Sequence, residues 1–135
     1  LTETRRVVVT GIGALSPVGN TFAESWEALK AGVAGIAAAT RFEAGDLPWN
    51  KAGELKGFSP DGYLSMKDRR RLDPFVQYAV MASILAAEDA GLGAAELSGA
   101  AVVMGSTRGG ISTMEDAGDR VSPYLMPSTT VSMAA

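Results

Sequence analysis

Arg5-Arg6-Val7-Val8-Val9-Thr10 is a β-branched run without alternation, stopped by Gly11-Ile12-Gly13. A run that does not alternate buries both faces, so it predicts a strand in a parallel sheet. Gly11, Gly13, Pro17, Gly19 and Asn20 then form a turn-rich connection. Thr21-x-x-Glu24 is a capping-box pattern, and Phe22, Trp26 and Leu29 recur at i, i+4 and i+7. Together they predict a helix with one apolar face, stopped by Gly32 as a left-handed residue.

From residue 33 to 64 the pattern loses its period. Gly35, Gly45, Pro48, Gly53, Gly57, Pro60 and Gly62 punctuate it. A loop of that length inside a domain is functional or holds short strands, and residues 51–55 are the candidate strand. Ser65-x-x-Asp68 opens a short second helix, and Asp73-Pro74 reads as N-cap and first turn of a third, running to Ala90 with Gly91 as its stop. That third helix carries Ala79, Ala82, Ser83, Ala86, Ala87 and Ala90, small residues that let neighbouring backbones approach, so it is expected to be largely buried. Residues 100–104 form a second strand of the buried type, ended by Gly105. Ser112-x-x-Glu115 is a candidate cap for another short helix, and Pro127-Ser128 opens one that is still running at Ala135. The chain stops inside an apolar element, as a fragment does. The order strand, helix, loop, helix, helix, strand gives an α/β class.

Composition narrows the chemistry. The 135 residues allow one domain, and 47% apolar content allows a core. Lys and Arg number 12 against 15 Asp and Glu, a net charge of −3 that argues against nucleic-acid binding by phosphate neutralisation. There is no Cys and no His, hence no disulfide, thiol nucleophile or imidazole base, and no metal site is expected. The longest apolar stretch, 78–87, is interrupted by Ser83 and falls far short of the ~20 residues that span a bilayer. No signal-peptide pattern precedes it, so a cytoplasmic protein without membrane contact is expected.

Four motifs carry alternatives. Val7-Val8-Val9-Thr10-Gly11-Ile12-Gly13 has the look of a dinucleotide-binding turn, but the next glycine is Gly19, and plain strand-to-helix turn glycines explain it better. Tyr63-x-x-x-Lys67 matches a dehydrogenase pair, yet lies too near the first strand for that fold. Residues 67–71 put four cations beside one anion, and Lys67, Arg70 and Arg71 share a helix face at i, i+3, i+4. That face is either simply solvated or a docking patch for an acidic partner. Gly105-Ser106-Thr107-Arg108-Gly109-Gly110 is either a flexible turn or a place where backbone approaches a ligand.

The order of the blocks is more specific than any one of them. Arg6-Val7-Val8-Val9-Thr10-Gly11-Ile12-Gly13, Ser16-Pro17-Val18-Gly19-Asn20, Trp26-x-x-Leu29-x-x-Gly32 and Gly35-Ile36 come first. Arg71-Leu72-Asp73-Pro74-Phe75-x-Gln77-Tyr78-Ala79, Gly105-Ser106-x-x-Gly109-Gly110 and Ser122-Pro123-x-x-x-Pro127-Ser128-Thr129 follow. In this order the sequence resembles the β-ketoacyl-acyl-carrier-protein synthases, most closely the synthase II type, over nearly the whole chain.

The resemblance implies a thiolase-like fold, of which residues 1–135 would be part of the N-terminal half of a five-layer αβαβα arrangement. It implies a decarboxylative Claisen condensation between an acyl thioester and malonyl-carrier protein in fatty acid elongation. The nucleophilic Cys and two His would lie beyond Ala135, so the 135-residue chain alone is expected to be inactive. No cofactor is implied beyond the phosphopantetheine arm of the partner acyl carrier protein. The complete enzyme would be a homodimer, or a heterodimer in a polyketide system. By the same resemblance, Lys67, Arg70 and Arg71 would dock the acidic carrier protein. Leu125 and Met126 would reach across the dimer to the partner's acyl pocket, and Arg108 would gate that pocket. At that last position synthase II usually carries an apolar residue and synthase I a glycine, so Arg108 implies an altered pocket. The alternatives are a chain-length-factor or polyketide-type relative and, from another class, a non-catalytic carrier-protein-binding or dinucleotide-binding module.

Overall fold

The computed structural model describes residues 5–43, 45, 47–120, 122–123 and 125–130. Helix α1 spans Phe22–Lys30. The cap forms as its sequence predicts: Thr21 Oγ1 accepts from Glu24 N at 3.1 Å, and the Glu24 carboxylate accepts from Asn20 N at 2.7 Å. Gly32 closes the helix with φ of +71°. The expected apolar face is present but does not face a core among the described residues: Phe22, Trp26 and Leu29 are all exposed, Trp26 by 52%. The buried residue of α1 is instead Ser25, whose hydroxyl meets Ser16 Oγ at 2.8 Å. This pins the tight turn at 16–19, where Ser16 and Gly19 exchange backbone bonds of 2.8 and 3.2 Å.

Residues 33–64 contain a minimal antiparallel pair, β1 Ala37–Ala38 with β2 Lys51–Ala52, in register Ala37↔Ala52. The strand expected over 51–55 is therefore real but two residues long. A carboxylate extends the pairing. Glu54 accepts from Thr40 N at 3.0 Å, Thr40 Oγ1 at 2.7 Å and Arg41 N at 3.1 Å. The Thr40 hydroxyl and amide, with lesser help from the Arg41 amide and charge, hold the Glu54 carboxyl below its usual range. Arg41 reaches across to Tyr78 Oη at 3.3 and 3.2 Å, and Phe58 stands edge-on to the Tyr78 ring at 4.8 Å. The 37–57 segment is thereby tied to the third helix.

Helix α2 is Met66–Arg71 and helix α3 is Pro74–Ala90. Both begin at the caps the sequence predicts, Ser65 and Asp73, and Gly91 ends α3 with φ of +67°. α3 is less buried than expected. Among the described hydrophobic residues only Val76, at 0% exposure, and Met81 are buried, and most of the helix is half-covered. Its small-residue side behaves as predicted. A Cβ on Gly13 would overlap the Ala82 carbonyl and lie 2.6 Å from Ala86 N; one on Gly11 would lie 2.7 Å from Ala90 Cβ. The chain at 11–13 thus lies directly on the α3 backbone, and Ile12 N donates to Asp89 Oδ2 at 2.9 Å.

The two expected parallel strands are corrections. Residues 5–10 and 100–104 have no ladder partner among the described residues, and Val7 and Val103 are each 93% exposed. A β-branched run dictates an extended backbone; pairing needs a neighbouring strand. The only sheet among the described residues is β1–β2, which is antiparallel. A short helix that the pattern does not announce, α4 at Ala94–Leu97, follows α3, with Glu96 Oε2 accepting from Gly93 N at 2.9 Å. Helix α5, Ile111–Ala117, starts from Gly110, so Ser112 lies inside it and does not cap it. Helix α6 is Leu125–Thr129, starting ahead of Pro127; residues 131–135, where the last helix was expected to continue, lie outside the described residues. No helix among the described residues is long and apolar enough to cross a membrane.

This packing has measurable consequences. Gly13→Ala should destabilise the folded protein by about 1–3 kcal/mol or more, because a methyl has to displace helix backbone. Gly99→Ala, with no atom within 4 Å of the new Cβ, should stay within about 0.5 kcal/mol. Denaturant midpoints at constant m separate the two. For Glu54, a carboxyl titration followed by NMR should show a midpoint below the usual 4.5. Its folded-state pKa is depressed, so its stabilising contribution is present above the ordinary glutamate range and is lost as pH falls through the lowered value. The stability difference between wild type and Glu54→Gln should therefore shrink on acidification.

Candidate functional site

The basic cluster is sorted by its neighbours. Ser65 Oγ accepts from Asp68 N at 3.1 Å and donates to Asp68 Oδ2 at 2.6 Å, so the one acidic residue of α2 is turned back onto its own cap. Arg69 pairs with Asp61, and Asp61 also accepts from the Ser59 hydroxyl. The Ser59 hydroxyl first, then the Arg69 charge, keep the Asp61 carboxyl below its ordinary range. Lys67, Arg70 and Arg71 are exposed on the same helix. Gln77, one turn into α3, grips the end of α2: its Nε2 donates to Arg69 O at 3.1 Å and to Leu72 O at 2.9 Å. The cationic face is therefore held by α3.

Directly after α2 comes Asp73, 3% exposed. Its Oδ1 accepts from Phe75 N at 2.9 Å, the cap of α3. Its Oδ2 accepts from Thr113 N at 3.1 Å, in the first turn of α5. Gly110, the N-cap of α5, has no side chain to do this. One carboxylate thus serves the N-termini of two helices, where partial positive charge favours an anion. Gly110 is squeezed into the same place: a Cβ there would lie 2.8 Å from Asp73 Oδ2 and 2.8 Å from Thr129 Cα. Its amide donates to Thr129 O at 3.0 Å.

The residues that sequence reasoning singled out lie at different distances from this junction along the chain. Arg108 is exposed on the bend just before Gly109 and Gly110, and Gly109 N donates to Ser106 Oγ at 3.0 Å. Leu125 is half-buried in α6, the helix whose Thr129 carbonyl holds Gly110. The side chain of Met126 lies outside the described residues. Lys67, Arg70 and Arg71 sit on the helix leading into Asp73. Sequence reasoning reads Asp73 as a cap for α3 alone and misses its bond to Thr113, forty residues on. The signal was an Asp-Pro start paired with a Gly-Gly start elsewhere, one helix with a cap and one without. The glycines of 11–13, by contrast, lie against α3 backbone, which fills the space that a pyrophosphate would need above a dinucleotide-binding turn.

Comparison with known proteins gives the family. The beta-ketoacyl synthase N-terminal domain matches residues 4–135. The 3-oxoacyl-[acyl-carrier-protein] synthase 2 of Vibrio cholerae is 45% identical over 97% of this chain and 34% of its own length. The proteins of the same name from Coxiella burnetii and Staphylococcus aureus are 37% and 39% identical, with coverage of 98% and 99% of this chain and 34% and 35% of their own. Among solved structures, the ishigamide ketosynthase/chain length factor superposes with a TM-score of 0.77 at 30% identity, over 97% of this chain and 35% of that one. The chain spans about a third of the length of the curated relatives it matches. Motif order, fold and family match therefore converge: the chain belongs to the β-ketoacyl synthase N-terminal-domain family and has its thiolase-like fold.

Proposed function

We propose that this chain is the N-terminal part of a β-ketoacyl-acyl-carrier-protein synthase that elongates fatty acids. The observation that carries this is the 45% identity to a 3-oxoacyl-[acyl-carrier-protein] synthase 2 across 97% of the chain. In this reading the described residues belong to the first half of the five-layer arrangement, and residues 5–10 and 100–104 find strand partners in the rest of that half. The complete enzyme is a cytoplasmic homodimer.

The reaction needs a thiol and two imidazoles, which this reading places beyond Ala135. An acyl group passes from the carrier's phosphopantetheine thiol to the enzyme's Cys, freeing that thiol. Malonyl-carrier protein loses CO2, and the carbanion attacks the acyl thioester, releasing the Cys and forming 3-oxoacyl-carrier protein. No further cofactor is called for. The residues of this chain act before and around that chemistry. Lys67, Arg70 and Arg71, exposed on α2, attract an acidic carrier protein and raise its rate of encounter. Leu125 and Met126 contribute to the acyl pocket across the dimer, and Arg108 restricts that pocket. A guanidinium stays charged at any working pH, and desolvating it against an alkyl chain is unfavourable.

A second reading, a chain-length-factor or polyketide-type relative acting as a heterodimer, is favoured by the likeness to the ishigamide ketosynthase/chain length factor and by Arg108. The complete protein, incubated with acyl- and malonyl-carrier protein, should yield 3-oxoacyl-carrier protein by mass spectrometry. No product, together with pairing to a separate ketosynthase, would establish the second reading.

Reversing Lys67, Arg70 and Arg71 to Glu should raise KM for the carrier protein about tenfold at low salt and flatten its salt dependence. An unchanged KM would return the cluster to a solvated face. Arg108→Ile and Arg108→Gly should each raise kcat/KM for long acyl chains relative to short ones, read in a chain-length series.

A further inference from the structure

Resting on the reading above, the geometry points to Asp73 as a positioning residue that fixes the 105–110 loop, and with it Arg108, relative to the basic face of α2. The acyl-chain preference of the enzyme then depends on a buried carboxylate at a helix junction.

Asp73 has two independent tasks, and its two oxygens divide them. Oδ1 caps its own helix through Phe75 N at 2.9 Å. An N-cap of this kind accounts for an Asp at that position, and many side chains perform it. Oδ2 reaches Thr113 N at 3.1 Å, on an element that α3 does not otherwise need. That second bond sets where α5 begins, and α5 begins at the end of the Arg108 loop. Gly110 closes the arrangement from the other side. Its amide is held by Thr129 O at 3.0 Å, and a Cβ would come within 2.8 Å of Asp73 Oδ2. The loop end therefore lies between the Asp73 carboxylate and the α6 backbone, two residues from Arg108. On the opposite side, Asp73 is two residues beyond Arg71, and Gln77 fastens the α2 carbonyls to the same turn of α3. A surface suited to docking and a loop suited to gating are thus joined through a single side chain that is 3% exposed. A neutral or shorter side chain would preserve α3 while releasing α5, which makes the two tasks separable.

The experiment uses the complete synthase containing this sequence, with Asp73→Ser and Asp73→Asn. Serine still caps α3 but is too short to reach Thr113. Asparagine keeps the shape but offers one acceptor oxygen for two donors. In Asp73→Ser, the Thr113 and Gly110 amides should exchange with solvent about tenfold faster, the order expected for one charge-assisted hydrogen bond lost, while α3 amides beyond its first turn keep their protection. The ratio of kcat/KM for long against short acyl-carrier protein should shift about tenfold, with KM for the carrier protein itself little changed. Asp73→Asn should lie between wild type and Asp73→Ser in both readouts, and it carries the same test should the serine variant not fold. Uniformly faster exchange along α3 and α5 with an unchanged chain-length ratio would reduce Asp73 to a stabilising cap and sink the proposal. Absence of condensation in the wild type itself would instead count against the synthase reading, so the two failures are told apart.

Discussion

Taking a carboxylate out of water costs several kcal/mol unless its oxygens find donors. Asp73 meets that constraint with the two kinds of donor that a chain of short helices leaves unsatisfied, the free amides at helix starts. The placement of α2, α3, α5 and α6 follows from it. α2 ends where Asp73 begins, α3 starts on its Oδ1, α5 starts on its Oδ2, and α6 closes over Gly110 beside it. The charge at this point is stabilised by two helix N-termini, where the partial positive charge of the aligned peptide dipoles gathers.

A second constraint is space. Gly11 and Gly13 let the chain lie on the backbone of α3, and the alanines at 82, 86 and 90 supply the matching shallow side. Close packing of this kind gains dispersion contacts but tolerates no added methyl. It explains why a helix with so few large buried side chains is nevertheless held in place along its length. The valines of 7–9 and 102–103 are exposed.

Electrostatics on α2 is arranged by local pairing. The Arg69–Asp61 pair is partly exposed, so solvent screens it and it adds little to stability. The pair sets one cation of the helix against one anion. Asp68, bonded to Ser65, is likewise engaged. Lys67, Arg70 and Arg71 thus form an exposed basic stretch on a chain whose net charge is −3.

Local chemistry determined much of this from the sequence alone. Thr21, Ser65 and Asp73 announce three helix starts, and Gly32 and Gly91 announce two stops, because caps and left-handed residues act within a few positions of themselves. The ordered blocks from Arg6 to Thr129 were enough to identify the family, since together they fix a rare set of turns and close approaches. Burial and pairing were decided only in three dimensions. Whether Val7 and Val103 pair depends on which strands stand beside them, and whether Trp26 is covered depends on what packs against α1. The cap of α5 was beyond any local reading as well. Ser112 sits at the right spacing for it, yet the helix starts earlier, at Gly110, and the donor at Thr113 is satisfied by a buried carboxylate forty residues before it, which only the tertiary fold brings there.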